Sequence, residues 1–191
     1  MNRRDALVGG ARLALTGLVA GLAAAVPVVP AFAAPKTDPE LDRAAAAALR
    51  RLSAGNQAAR LLSEKAVAAL VFPKIVKVGF LLGGAYGEGA LRQGGKTVGY
   101  YNSAAASYGL QAGVQWFGYA LFFMNDGALK YLDDSKGFEI GLGPSVVVVD
   151  QGMGKKMSST TLSQDVYAFI FNQKGLMAGL GLEGSKITKI Q

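Results

Sequence analysis

The chain has 191 residues, a formal net charge of +7, and neither cysteine nor histidine. Without cysteine there is no disulfide, no thiol nucleophile and no lipid-modified cysteine. Without histidine, a Ser-His-Asp arrangement and histidine metal ligands are excluded, and no catalytic residue, metal ligand or cofactor is assigned.

Residues 1–33 read as an export signal. Arg3 and Arg4 form a basic start, an apolar stretch runs from Leu13 to Val29, and Ala31-Phe32-Ala33 is an A-x-A cleavage site. The Asn2–Leu7 opening also resembles a twin-arginine signal. Cleavage there leaves 191 − 33 = 158 residues, the size of one domain. The signal carries three arginines and one aspartate, so the mature chain keeps +7 − 2 = +5. That balance suits an anionic partner. No later apolar stretch has the length of a membrane-spanning helix. The expected location is periplasmic or secreted, with peripheral membrane association.

Residues 34–39 read as a linker and 40–191 as a single domain. Leu41 to Leu52 places Leu41, Ala45, Ala48 and Leu52 on one helical face, with Glu40 and Asp42 in the first turn, where the helix dipole favours acids. Thr37 or Asp38 is the candidate cap. Alanine buries little area, so this face is expected to pack on a sheet rather than insert into lipid. Gly55-Asn56 marks a break, and Gln57 to Ala69 reads as a second helix, with Ala58, Leu61, Leu62, Lys65 and Ala66 on one stripe.

After Pro73 the texture changes: of 26 glycines, 21 fall from Gly79 onward. Helices tolerate glycine poorly, whereas bulged strands and turns use it. Strands are expected near 67–72, 75–82, 85–92, 97–101, 107–114, 116–124, 145–150, 165–172 and 175–182. Turns are expected at Gln93–Lys96, Asn125–Gly127 and Asn172–Gly175, and a short helix at Asp126 to Leu132. Tyr119–Met124 and Val146–Val149 are apolar on both faces, as in strands buried on both sides. The connections are mostly too short for crossover helices. The expected class is α+β: two N-terminal helices packed on a curved, mainly antiparallel, barrel-like sheet.

Glycines in Gly79–Gly83 and Gly179–Leu182 bare one sheet face, for close packing or for an acyl chain. Asp150–Thr161, with Lys155 and Lys156, is a polar loop able to contact a phosphate, without Walker spacing. Glu88 is expected to pair with Lys77 or Arg92, and Asp133-Asp134 to be capping or solvated. Tyr86, Tyr100, Tyr101, Tyr108 and Trp116 are expected in core or interface packing. Export argues against nucleic acid.

Leu70–Phe80, Gly83–Gly89, Ser107–Gly113 and Leu121–Leu129 together resemble the SYLF family, also called the Ysc84-type domain, over roughly residues 40–190. The resemblance implies lipid binding: eukaryotic members bind phosphoinositide membranes and some bind actin, and a basic amphipathic N-terminal segment is implicated in membrane contact. That segment maps to Leu41–Leu52. It implies no catalysis. Export would remove actin and phosphoinositides, leaving anionic phospholipid or another amphiphile as the expected partner. The candidate lipid-binding residues are Arg43, Arg50, Arg51, Arg60, Lys65, Lys74, Lys77, Lys155 and Lys156. The alternative is an envelope assembly protein that binds a protein partner through its helix face or a sheet edge.

Overall fold

The computed structural model describes residues 39–135, 138–139, 143–149, 162–175 and 185–190. All of them fall within one compact unit, Pro35–Gln191. The expected signal over 1–33, linker residues 34–38, the Asp150–Thr161 loop with Lys155 and Lys156, and most of the strand expected over 175–182 lie outside the described residues.

Helix α1 (Pro39–Gly55) begins on a proline, whose missing N–H costs nothing at that position. Its alanine face behaves as expected: Ala45 and Ala48 are buried, with Leu41 and Leu52 packed beside them. Helix α2 (Gln57–Lys65) starts at Asn56, whose side chain accepts a hydrogen bond from the Ala59 N–H at 3.1 Å. Asn56→Ala should therefore cost about 1 kcal/mol, read as a lower urea midpoint at unchanged slope. The helix stops at Lys65, short of the expected Ala69, because Ala68 and Ala69 already pair with Phe123 and Phe122 in the sheet.

The expected strand breaks around Pro73, Gly83-Gly84, 102–106 and 115 are not ends. The chain runs through them as two long strands, β1 (Ala68–Gln93, 26 residues) and β2 (Lys96–Phe123, 28 residues). Gly94 and Gly95 form the turn between them, both at positive φ. Pro73 sits in a register shift between Phe72 and Ile75, where a missing N–H is tolerated. A straight strand of that length would span roughly 85 Å. A compact unit of the length of Pro35–Gln191 has a radius of gyration of only about 15 Å. The hairpin must therefore curl on itself. Gly87 and Gly89 mark where it does: a Cβ on Gly89 would meet the Phe72 ring at 2.7 Å and the Val71 carbonyl oxygen at 2.8 Å.

Helix α3 (Asp126–Asp134), capped by Asn125, follows close to its expected place. The short strands β3 (Phe138–Glu139), β4 (Val146–Val148), β5 (Val166–Gly175) and β6 (Lys186–Lys189) complete a sheet of order β3-β6-β2-β5-β4, with β1 along β2. Among the described residues, only β4 and β5 pair in parallel. The class is thus helix plus curved, mainly antiparallel sheet, curled into a half-barrel. β3 and β6 were not legible as strands, being too short to show alternation.

Alternate residues feed two cores. Leu70, Phe72, Tyr119, Leu121 and Phe123 face inward with Leu91, Tyr101, Phe138 and Ile187, and Ala128 and Leu132 of α3 join them. Ala69, Val71, Ala120 and Phe122 face outward with Tyr167 and Phe169, under α1 and α2. Polar side chains tie the layers. The Tyr100 hydroxyl donates to Asp42 on α1 at 3.0 Å. Asp133 is neither a cap nor simply solvated: it accepts from the Tyr101 hydroxyl at 2.9 Å and pairs with Lys189 at 3.0 Å, linking α3 to β2 and β6. Partial burial pushes its carboxyl up, but the hydrogen bonds from Lys189 and Tyr101 outweigh this and hold it below the usual range. Glu88 accepts from Tyr86 at 3.0 Å, and Arg92 donates to Thr97 and to the Gly95 carbonyl. Burial first, then Glu88, pushes the Tyr86 hydroxyl up to about 12.

Candidate functional site

The outer sheet face changes character at Gly118. There a side chain would collide with the Phe171 ring, within 2.7 Å, and with the Phe72 carbonyl oxygen at 3.0 Å. Glycine lets Phe171 lie against the sheet at the edge of the helical lid. The next outward position on β2 is Trp116, and it is 40% exposed. Its register partners are Val76 on one side and Lys174 on the other. Two residues further on, Val114 pairs with Val78, and these are 41% and 49% exposed. Beyond the lid the sheet thus presents Val76, Val78, Val114 and Trp116 on one bare face.

A distortion in β5 places the neighbouring cation. Phe171 pairs with Gly118 and Lys174 with Trp116, so Asn172 and Gln173 together oppose Phe117 alone. Asn172 takes φ 54, a left-handed conformation that asparagine accepts better than most residues. The expected turn at Asn172–Gly175 is therefore a bulge inside a strand.

An open cleft of about 420 Å³ results, lined by Arg51, Pro73, Lys74, Trp116, Phe117, Asn172 and Lys174. A second cleft of about 220 Å³ shares Arg51 and Asn172 with it and runs toward Gly55 and Phe171. Arg51 comes from α1, Lys74 from the Pro73 bulge and Lys174 from the β5 bulge. Among the described residues the lining holds these three cations and no carboxylate, so it attracts anions, and more so at low salt.

Of the residues singled out in the sequence, the fold brings Arg51 and Lys74 together. Arg43, Arg50, Arg60 and Lys65 are exposed on the helices and line no part of this cleft. Lys77 pairs with buried Gln115, which by strand alternation puts it on the sheet face opposite Trp116. Lys155 and Lys156 lie outside the described residues. Trp116 is half-exposed rather than in the core, whereas Tyr101 is buried. Trp116, Asn172 and Lys174 were missed as site residues. The signal was present in Val114-x-Trp116 opposite Val76-x-Val78, a period of two whose register the sequence alone does not supply.

The family model Ysc84, described as a Las17-binding protein actin regulator, matches residues 104–191. Over these residues the chain is similar to the Ysc84 domain. The match begins inside β2, so the matched residues include Trp116, Phe117, Asn172 and Lys174, while Arg51, Pro73 and Lys74 precede them. The Ysc84 family is associated with lipid and actin binding and is a family of binding domains. Among curated proteins, none matches the chain. No described helix of this protein is long and apolar enough to cross a membrane.

Proposed function

We propose that this protein binds anionic phospholipid, or another anionic amphiphile, at a membrane surface of the cell envelope, and that it carries out no chemistry there. The observation that carries the reading is the cleft in which Arg51, Lys74 and Lys174 surround an exposed tryptophan. A basic residue near an anionic bilayer contributes about 1 kcal/mol, so three together favour it over a neutral one by roughly 100-fold. The association of the family with lipid binding supports the same reading. The envelope location rests on the basic, apolar and A-x-A pattern of residues 1–33.

Flotation with vesicles tests it. The mature chain should float with phosphatidylglycerol-containing vesicles, and only weakly with phosphatidylcholine vesicles, and the preference should shrink as salt rises. Equal recovery on both vesicle types, or no recovery on either, sinks the proposal.

A further inference from the structure

Helix α1 spends its apolar face on the sheet: Ala45 is fully buried and Ala48 nearly so. What remains for insertion into a bilayer lies elsewhere. The exposed apolar side chains Val98, Tyr131 and Val148 stand on separate elements, as scattered surface residues commonly do. Val76, Val78, Val114 and Trp116 instead form a continuous two-by-two block across β1 and β2. Lys174 adjoins it through Trp116, and Arg51 and Lys74 share its cleft.

We infer that this bare block of sheet, rather than the basic helix, is the surface that enters the bilayer, with Trp116 in the interfacial layer and Arg51, Lys74 and Lys174 on the lipid phosphates. The inference rests on the anionic-lipid reading and adds the face and its orientation. Three arguments converge. Tryptophan has an apolar body and one N–H donor, and it partitions to the boundary between headgroups and acyl chains. Lysine and arginine keep their charged ends at phosphate level while their stems lie along apolar surface. Valines on a strand face are stiff and already ordered, so their burial carries little loss of rotamer freedom.

The charge pattern also selects a membrane over a second copy of the chain. A symmetric pair closed over this face would bring two sets of Arg51, Lys74 and Lys174 together, and among the described residues no carboxylate of the cleft lining answers them. An anionic bilayer supplies the opposite charge over the whole rim.

Trp116 is the only tryptophan in the chain, so its fluorescence reports this face alone. On phosphatidylglycerol vesicles its emission should move to shorter wavelength. Lipids brominated near the top of the acyl chain should quench it more than lipids brominated near the chain end. Trp116→Ala should lower vesicle partitioning by about tenfold, and so should the pair Val78→Ser with Val114→Ser. Urea midpoints identify any variant that loses binding by unfolding, and the valine pair then stands in for the tryptophan variant. Vesicle binding with an unshifted, unquenched Trp116 overturns the assigned face and leaves the lipid reading standing. No binding to any vesicle overturns both. A dimer in sedimentation without lipid, dissolved by Trp116→Ala, overturns the inference in favour of a second copy.

Discussion

Gly89→Ala is expected to destabilise the protein by about 2 kcal/mol, net of the 0.4–1 kcal/mol that restricting the unfolded chain gives back. The new methyl group would lie 2.7 Å from Phe72 Cδ1 and 2.8 Å from both Phe72 Cγ and the Val71 carbonyl oxygen. Neither neighbour yields easily. The carbonyl is backbone, and the Phe72 ring is held by stacking on Tyr119 at 4.5 Å between centroids. Gly89 and Phe72 belong to the same strand, so the collision occurs only because β1 curls back over itself. Urea unfolding measures the loss. Phe72→Leu changes the ring that the methyl would strike, so the double variant should lose less than the sum of the single losses, with a coupling of about 1 kcal/mol. Strict additivity would mean that the two halves of the hairpin do not meet there. Gly55→Ala provides the contrast, since its methyl would meet nothing within 4 Å. It should be neutral or slightly stabilising.

Neutralising the three cleft cations together, as Arg51→Gln, Lys74→Gln and Lys174→Gln, should weaken binding to anionic vesicles by about 100-fold at low salt. The difference should narrow as salt rises. The cations come from a helix and two separate bulges, and all three are exposed. Their replacement should change folding stability by no more than about 0.5 kcal/mol. The comparison that decides the site is a second set, Arg43→Gln, Arg50→Gln, Arg60→Gln and Lys65→Gln, on helix positions outside the cleft. It removes more charge but should weaken binding only a few-fold. Arg50 and Arg51 are sequence neighbours, yet only Arg51 lines the cleft. Partition coefficients from sedimentation with vesicles measure both sets. A greater loss from the helix set would move the contact to α1 and α2.

These two expectations draw on information of different kinds. The sequence by itself determined what each residue does to its own stretch of backbone and to its own face. The alanine stripe of Ala45 and Ala48, the break at Gly55-Asn56, the short helix from Asp126 and the two-faced apolar run Tyr119–Met124 were all readable, because helix period, helix breakers and strand alternation are local. The glycine excess announced close approaches without naming the partners. Tertiary structure decided that Pro73 and Asn172 mark bulges rather than strand ends, that Gly89 lies against Phe72, and that Arg51, Lys74 and Lys174 border one tryptophan. Those facts depend on strand register and on the curl of a hairpin too long to stay straight. Both are set by packing among residues far apart in the chain, which no local pattern encodes.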